Sequence, residues 1–495
     1  MTDPTNATVV GTDVAPPDPK RWFALGVIAL AQLMVVLDAS IVNIALPHAQ
    51  HALHINDANR QWVVTAYTLA FGGLLLLGGR IADYWGRKRS FMVGLIGFAT
   101  ASALGGLAQT QWQLFGARAL QGAFAALLAP AALSLITTTF TQSKERAKAF
   151  GVYGAIAGGG AAIGLILGGV LTQYFSWRWT LGVNVPIAII AFVLAIFAVK
   201  ESKVTGNTKY DIPGAIAATG GLVTLVYAIT KAGEIGWGKS TTLWLFGLAI
   251  VFLIAFIIIE RRSSHPLLPL QVILDRNRGG SFLANFLTGM GLFGMFLFLT
   301  YYFQGVLGYS ALKSGFAFLP FSIGIILSAG IAAQLLPRFG PRIPAAIGLV
   351  AATLGMLWLT RLTPTSSYTT AVLPSLIVMS FGLALVFVPL ASTALFGVEP
   401  HDAGVASAVL NTTQQIGGSL GTALLNSIAA TATVHFVLTH GPSSLRDGTA
   451  AVHGFTTSFM VAAGILATAG IVVAVFINAD KNSIKANDDV PVHVG

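Results

Sequence analysis

The chain has 495 residues, of which 55% are hydrophobic and 9% charged, and its mean hydropathy is +0.77. Soluble domains carry about 25% charge, so composition excludes a soluble globular protein and places the chain in a bilayer. Cysteine is absent, which excludes disulfides, thiolate metal sites and cysteine nucleophiles; the formal charge of +10 must be judged by where its basic residues fall.

Residues 1–21 are polar, without a basic n-region or cleavage site, and are expected to remain as a cytoplasmic tail. Apolar stretches follow at roughly 22–46, 61–82, 90–110, 113–137, 147–172, 180–199, 212–231, 242–260, 281–308, 315–336, 343–362, 371–397, 404–430 and 455–477. Each can cross a ~30 Å hydrocarbon core as a helix. The expected fold class is therefore an all-α membrane protein with 14 transmembrane helices. A six-helix bundle is expected over 22–200, a central two-helix insert over 201–260, a cytoplasmic connector over 261–280, a second six-helix bundle over 281–477 and a cytoplasmic tail over 478–495. With both termini inside, twenty of the twenty-eight Lys and Arg residues lie on the inner side, seven lie outside, and Arg118 lies within a span. That asymmetry is a topology signal and not a nucleic-acid patch.

Asp38, in LDASIVNIALP at the end of the first stretch, is the one carboxylate of eighteen set deep in an apolar segment. An ionised acid there costs at least ~2.5 to 3.5 kcal/mol and marks function by default. Asp38 falls about 24 Å along its helix from Trp22, and Arg118 about 8 Å from the opposite start of the fourth stretch, which brings the two to similar depth. A cation or water moving relative to such an acid changes how tightly it holds a proton, so the pair reads as a proton switch, with a static buried ion pair that fixes helix packing as the alternative. After the second stretch, Gly79, Asp83, Gly86, Arg87 and Lys88 form a tight turn whose basic residues are expected to face anionic headgroups. This turn, GGRIADYWGRKR, aligns with AQLLPRFGPR, setting Gly86 against Gly340 and Lys88 against Arg342. Gly154, Gly158, Gly160, Gly164, Gly168 and Gly169 give the fifth stretch a small-residue face for close packing across the interface between bundles. Gln32, Asn43, Tyr67, Gln121, Asn411 and Gln414 are the candidates for lining a substrate cavity. The aromatics from Phe282 to Phe303 are expected to face lipid or the interface. His48, His51 and His54 lack a nearby acid or thiolate and read as solvated, not as a metal site. No G-x-x-x-x-G-K-[ST] segment occurs, so nothing argues for ATP as the energy source.

Four motifs occur in order: LDASIVNIALP, the Gly79 to Lys88 turn, R118-x-x-Q121-G122 and WRWTLGVNVP at 177–186. Together, over nearly the whole chain, they resemble the major facilitator superfamily, and within it the fourteen-helix drug:proton antiporters of EmrB/QacA type. Ala161 and Leu165 stand where that family's fifth-helix motif commonly carries proline. The resemblance implies a proton-coupled exporter of lipophilic, possibly cationic, small molecules working by alternating access in the cell membrane. It also implies that Asp83 latches against the start of the thirteenth span near Ala403 and Gly404. Protons, the substrate and the bilayer are the expected partners; no cofactor, nucleic acid or ATP is expected, and the functional unit is expected to be a monomer. A proton-coupled nutrient importer is the alternative, and a polytopic enzyme or receptor a more distant one, since no catalytic constellation or extramembrane domain is visible.

Overall fold

A computed structural model of the chain describes residues 19–140, 142–202, 211–263, 266–267, 273–396, 398 and 403–478. Most of both expected tails and part of the expected connector lie outside the described residues. The long helices are α1 (Arg21–Ala52), α2 (Trp62–Trp85), α3 (Arg87–Gly106), α4 (Gln111–Thr139), α5 (Ser143–Tyr174), α6 (Asn184–Ala198) and α7 (Ile212–Ile235). They continue as α8 (Ser240–Arg262), α9 (Arg276–Tyr301), α10 (Ala311–Phe339), α11 (Arg342–Leu359), α12 (Leu373–Leu395), α13 (Ala403–His440) and α14 (Thr449–Phe476). A short helical turn, Trp179–Gly182, precedes α6, and a π-helical turn, Tyr302–Val306, continues α9.

Helix starts follow local chemistry. Thr110 and Gln113 form a reciprocal capping box at α4, and the Asp275, Ser310 and Asp211 side chains accept from free N–H groups at the starts of α9, α10 and α7. Gly86 and Gly340 end α2 and α10 with φ of 123° and 71°, a backbone region that favours glycine.

Among the described residues, twelve helices are long and apolar enough to cross a membrane, so the chain is a multi-pass membrane protein. The expected fourteen exceed these twelve by α3 and α5, which are less apolar. The first opens on RKRS and is rich in Gly, Ala, Ser and Thr; in the second, the apolar described part is confined to Gly159–Tyr174.

α1 packs on α5 and α6, and α4 packs on α2 and α3; in the second half of the chain α9 packs on α13 and α14, and α12 on α10 and α11. α7 and α8 pack on each other, and α7 also touches both α2 and α13. The halves meet where α5 packs on α10 and where α2 packs on α13. Lys88 Nζ donates to Ile196 O in the last turn of α6, and Arg342 Nη2 donates to Ala474 O in the last turn of α14. The residues aligned by sequence thus perform the same clasp in each half.

The aromatics of α9 lie elsewhere than expected. Phe282, Phe298, Tyr302 and Phe303 are buried, and Phe298 stacks on Phe455 while Phe303 packs edge-on against Phe318. α9 is enclosed by α12, α13 and α14, so its rings fill a helix core rather than face lipid. By contrast, α8 buries only Thr242, Ala249 and Glu260 among its described residues.

Candidate functional site

Four helices converge on Asp38. From α4, Arg118 Nη1 donates to Asp38 Oδ2 at 2.6 Å, and Gln121 Nε2 donates to Asp38 Oδ1 at 2.7 Å. From α6, Asn184 Nδ2 donates to the same Oδ1 at 2.7 Å. From α3, Ser102 Oγ accepts from Gln121 and Asn184 and donates to Leu181 O. Arg118 also donates to Gln121 Oε1 at 2.7 Å and to Val63 O at 3.0 Å, and its guanidinium lies 4.4 Å from the centre of the Tyr67 ring. Asp38, Ser102, Gln121 and Asn184 are wholly buried and Arg118 is 1% exposed, so the charges are compensated only by one another and by these bonds. Among the described residues, every polar side-chain atom that bonds Asp38 is a donor, the arrangement that suits a carboxylate and not a carboxylic acid.

The local sequence explains the convergence. A Cβ on Gly122 would lie 2.2 Å from Tyr67 O, so glycine there lets α4 press on α2 and carries Arg118 across the Tyr67 ring. Asn184 is the first residue of α6, placed by the turn from WRWTLGVNVP. Ser102 has no sequence signal of its own, because hydroxyls are common in membrane helices.

Tyr67 and Gln121 therefore belong to the Asp38 centre and not to an exposed cavity. Of the other cavity candidates, Gln32 accepts from Tyr153 OH at 2.7 Å, Asn43 donates to Ala39 O and Asn411 donates to Ser407 O. Gln32, Asn43 and Gln414 are half-buried, and Asn411 is exposed.

At the end of the molecule that carries Arg21, Asp83 Oδ1 accepts from Arg87 at 3.0 Å and from Ser134 at 3.3 Å, partners within its own half. The surroundings of Ala403 and Gly404, the expected docking point, lie outside the described residues. Gly79 packs against Pro130. Beside it, Glu201 caps α3 by accepting from the Lys88 and Arg89 backbone N–H groups. The basic residues expected to face headgroups also bond to protein, Arg87 to Asp83 and Lys88 to Ile196 O.

The glycine face also divides. Gly160, Gly164 and Gly168 press on Val36, Ser40 and Ile41 of α1, in the same half, whereas Gly169 meets Leu312 of α10 in the other. Four-residue spacing makes a stripe but does not say which helix it meets. The surroundings of Gly154 and Gly158 lie outside the described residues.

The opposite end, which carries the α1–α2 loop, is closed by a polar network that sequence reading missed. Arg60 donates to Asn426 Oδ1 at 3.0 Å and to Asp57 at 3.3 Å, and lies 4.1 Å over the Tyr301 ring. Asn426 donates to Asp57 O at 2.8 Å and to Gln61 Oε1 at 2.6 Å, and Gln61 donates to Thr230 of α7 at 2.9 Å. Gln50 donates to Asp57 and accepts from Tyr301 OH, and Gln304 donates to Ile44 O. Both halves and the α7–α8 pair are tied together at this end.

A buried ion pair in one helical half, a second half related to it by the Lys88 and Arg342 clasps, and closure at one end are an architecture that suits a membrane transporter. The chain belongs to the Major Facilitator Superfamily, whose sequence profile matches residues 28–422. It is 50% identical over 468 residues to a puromycin resistance protein of Streptomyces alboniger, covering 94% of this chain and 92% of that one. It is 39% identical to a cephamycin export protein of Amycolatopsis lactamdurans, covering 83% and 85%. Among solved structures, the fold matches a bacterial homolog of the human lysosomal transporter Spinster, with a TM-score of 0.65 at 16% identity, covering 95% of this chain and 98% of that one.

Proposed function

We propose that this protein is a proton-coupled exporter of lipophilic, antibiotic-like small molecules, of the EmrB/QacA type, acting as a monomer in the plasma membrane without a cofactor. The two six-helix halves, 22–200 and 281–477, are the moving units, and 201–260 supplies the central pair. α3 and α5 complete fourteen crossings, and the basic asymmetry sets both termini in the cytoplasm. The α1–α2 end is then the outer face, closed in this structure.

The observation that carries the reading is the Asp38 centre: a carboxylate sealed from water and ringed by donors, at the depth where alternating access would expose it to one side at a time. With the outer end closed, the site holds the deprotonated form. Opening that end would let Asp38 take a proton from outside, weaken its hold on Arg118 and complete the antiport cycle when the proton leaves inward. Gln32, Asn43, Asn411 and Gln414 offer amides to a substrate, and Asp83 with Gly79, Gly86, Arg87 and Lys88 serves as the inner latch. The related resistance and export proteins support puromycin as the first probe. Proteoliposomes with a pH gradient should accumulate labelled puromycin, and Asp38→Asn should abolish accumulation while the protein still inserts. Unchanged accumulation in that variant would refute the role of Asp38.

A further inference from the structure

Asn184 uses both amide hydrogens and neither acceptor lone pair. Its Nδ2 donates to Asp38 Oδ1 at 2.7 Å and to Ser102 Oγ at 3.0 Å, while its Oδ1 is buried and has no hydrogen-bond partner among the described residues. Ser102 fixes this orientation. Its single proton goes to Leu181 O at 2.8 Å, so its oxygen can only accept, and both Gln121 and Asn184 must present N–H groups to it. A buried acceptor without a donor is costly, and here it sits on the residue that touches the proposed proton carrier.

We propose that Asn184, set by Ser102, is a positioning residue that reads the protonation state of Asp38: its amide nitrogen holds the carboxylate, and its oxygen takes up the O–H that a protonated Asp38 presents. The inference rests on the proton-coupled reading above. When a proton from water adds to a carboxylate oxygen, no covalent bond breaks. Half a turn of the amide about its Cβ–Cγ bond replaces the donor by the acceptor, and the Ser102 hydroxyl turns its proton from Leu181 O to that oxygen, so the flip requires both side chains to move together. Arg118, relieved of its anion, keeps Gln121 Oε1, Val63 O and the Tyr67 ring. The charged or titratable groups facing Asp38 among the described residues are Arg118 from α4 and the Tyr67 phenol from α2. The described part of α5 brings Tyr153 only as far as Gln32, and α3 and α6 bring Ser102 and Asn184. Because Asn184 begins α6, and Ser102 binds Leu181 just before it, the exchange of bonds is felt at the start of that helix.

The test separates exchange from coupling. In proteoliposomes, Asn184→Leu should retain exchange of labelled for unlabelled puromycin without a pH gradient. Its gradient-driven accumulation should fall about tenfold, as expected for losing a hydrogen bond to a charged group. Ser102→Ala, which leaves the amide in place but unanchored, should lose less accumulation and show a displaced pH profile. Wild-type accumulation in an exchanging Asn184→Leu protein would overturn the proposal. Should that variant fail to insert, an unchanged pH profile in Ser102→Ala would overturn it instead. Exchange without gradient-driven accumulation in the wild type would withdraw the proton-coupled reading, and this inference with it.

Discussion

Asn426→Ala should open the end of the molecule that carries the α1–α2 loop. Asn426 gives that end three short bonds, to Asp57 O at 2.8 Å, to Gln61 Oε1 at 2.6 Å and from Arg60 Nε at 3.0 Å, beside a longer one to Ala58 O at 3.4 Å. Two neutral bonds at about 1 kcal/mol each and one to a charged group at about 1.5 kcal/mol sum to roughly 3.5 kcal/mol. All three join α13 to the α1–α2 loop and so are lost when that end parts; their removal penalises the closed state alone. At about 1.4 kcal/mol per decade, the closed-to-open ratio falls roughly three-hundredfold. The chain contains no cysteine, so a single Ala311→Cys reports directly: Ala311 is 2% exposed and its carbonyl lies against Gly169 where the halves meet. A membrane-impermeant maleimide added outside intact cells should label it far faster when Asn426→Ala is also present. A change of less than about twofold would refute the view that these bonds hold that end shut.

Three further outcomes follow from the same geometry. Arg118→Ala leaves Asp38 buried without its counter-charge and should cost about 3 to 5 kcal/mol, read as a large drop in the melting temperature in detergent. Gly164→Leu puts a Cβ 2.0 Å from Ser40 Oγ and should force α1 and α5 apart at about 1 to 3 kcal/mol, with loss of expression or of thermal stability. Glu201→Ala removes the acceptor for two N–H groups at the start of α3 and should lower stability by about 1 kcal/mol, while puromycin accumulation stays near wild type.

Asp38 and Arg118 could be found from sequence because charge inside an apolar stretch is expensive and helical rise converts residue number into depth. Lys88 and Arg342 could be paired because each follows a glycine that ends a helix. Asn184 stood in the WRWTLGVNVP motif, but nothing in the sequence said what it would touch. An amide in a membrane helix is ordinary until its neighbours are known, and those neighbours come from three other helices. The α9 aromatics were misplaced for a related reason: in a membrane, hydropathy is the same for a ring facing lipid and for one facing another helix. Arg60 and Asp57 lie in a polar loop that reads as solvated, yet folding buries the Arg60 side chain under Tyr301 and Asn426. The glycine stripe of α5 was legible as a stripe, but only the packed structure assigns Gly160, Gly164 and Gly168 to α1 and Gly169 to α10.

The α7–α8 pair is bonded on both sides of the same seam. Thr230 accepts from Gln61 on one side, and Ile229 O accepts from Ser427 on the other, where α7 and α13 come close enough for Gly233 to abut Ser427. A helix tied to two bodies cannot follow both when they separate. One of these attachments has to yield first, and the pair stays with the side whose bond holds. The pair therefore makes the seam between α2 and α13 a choice between two attachments and not a simple parting of two surfaces.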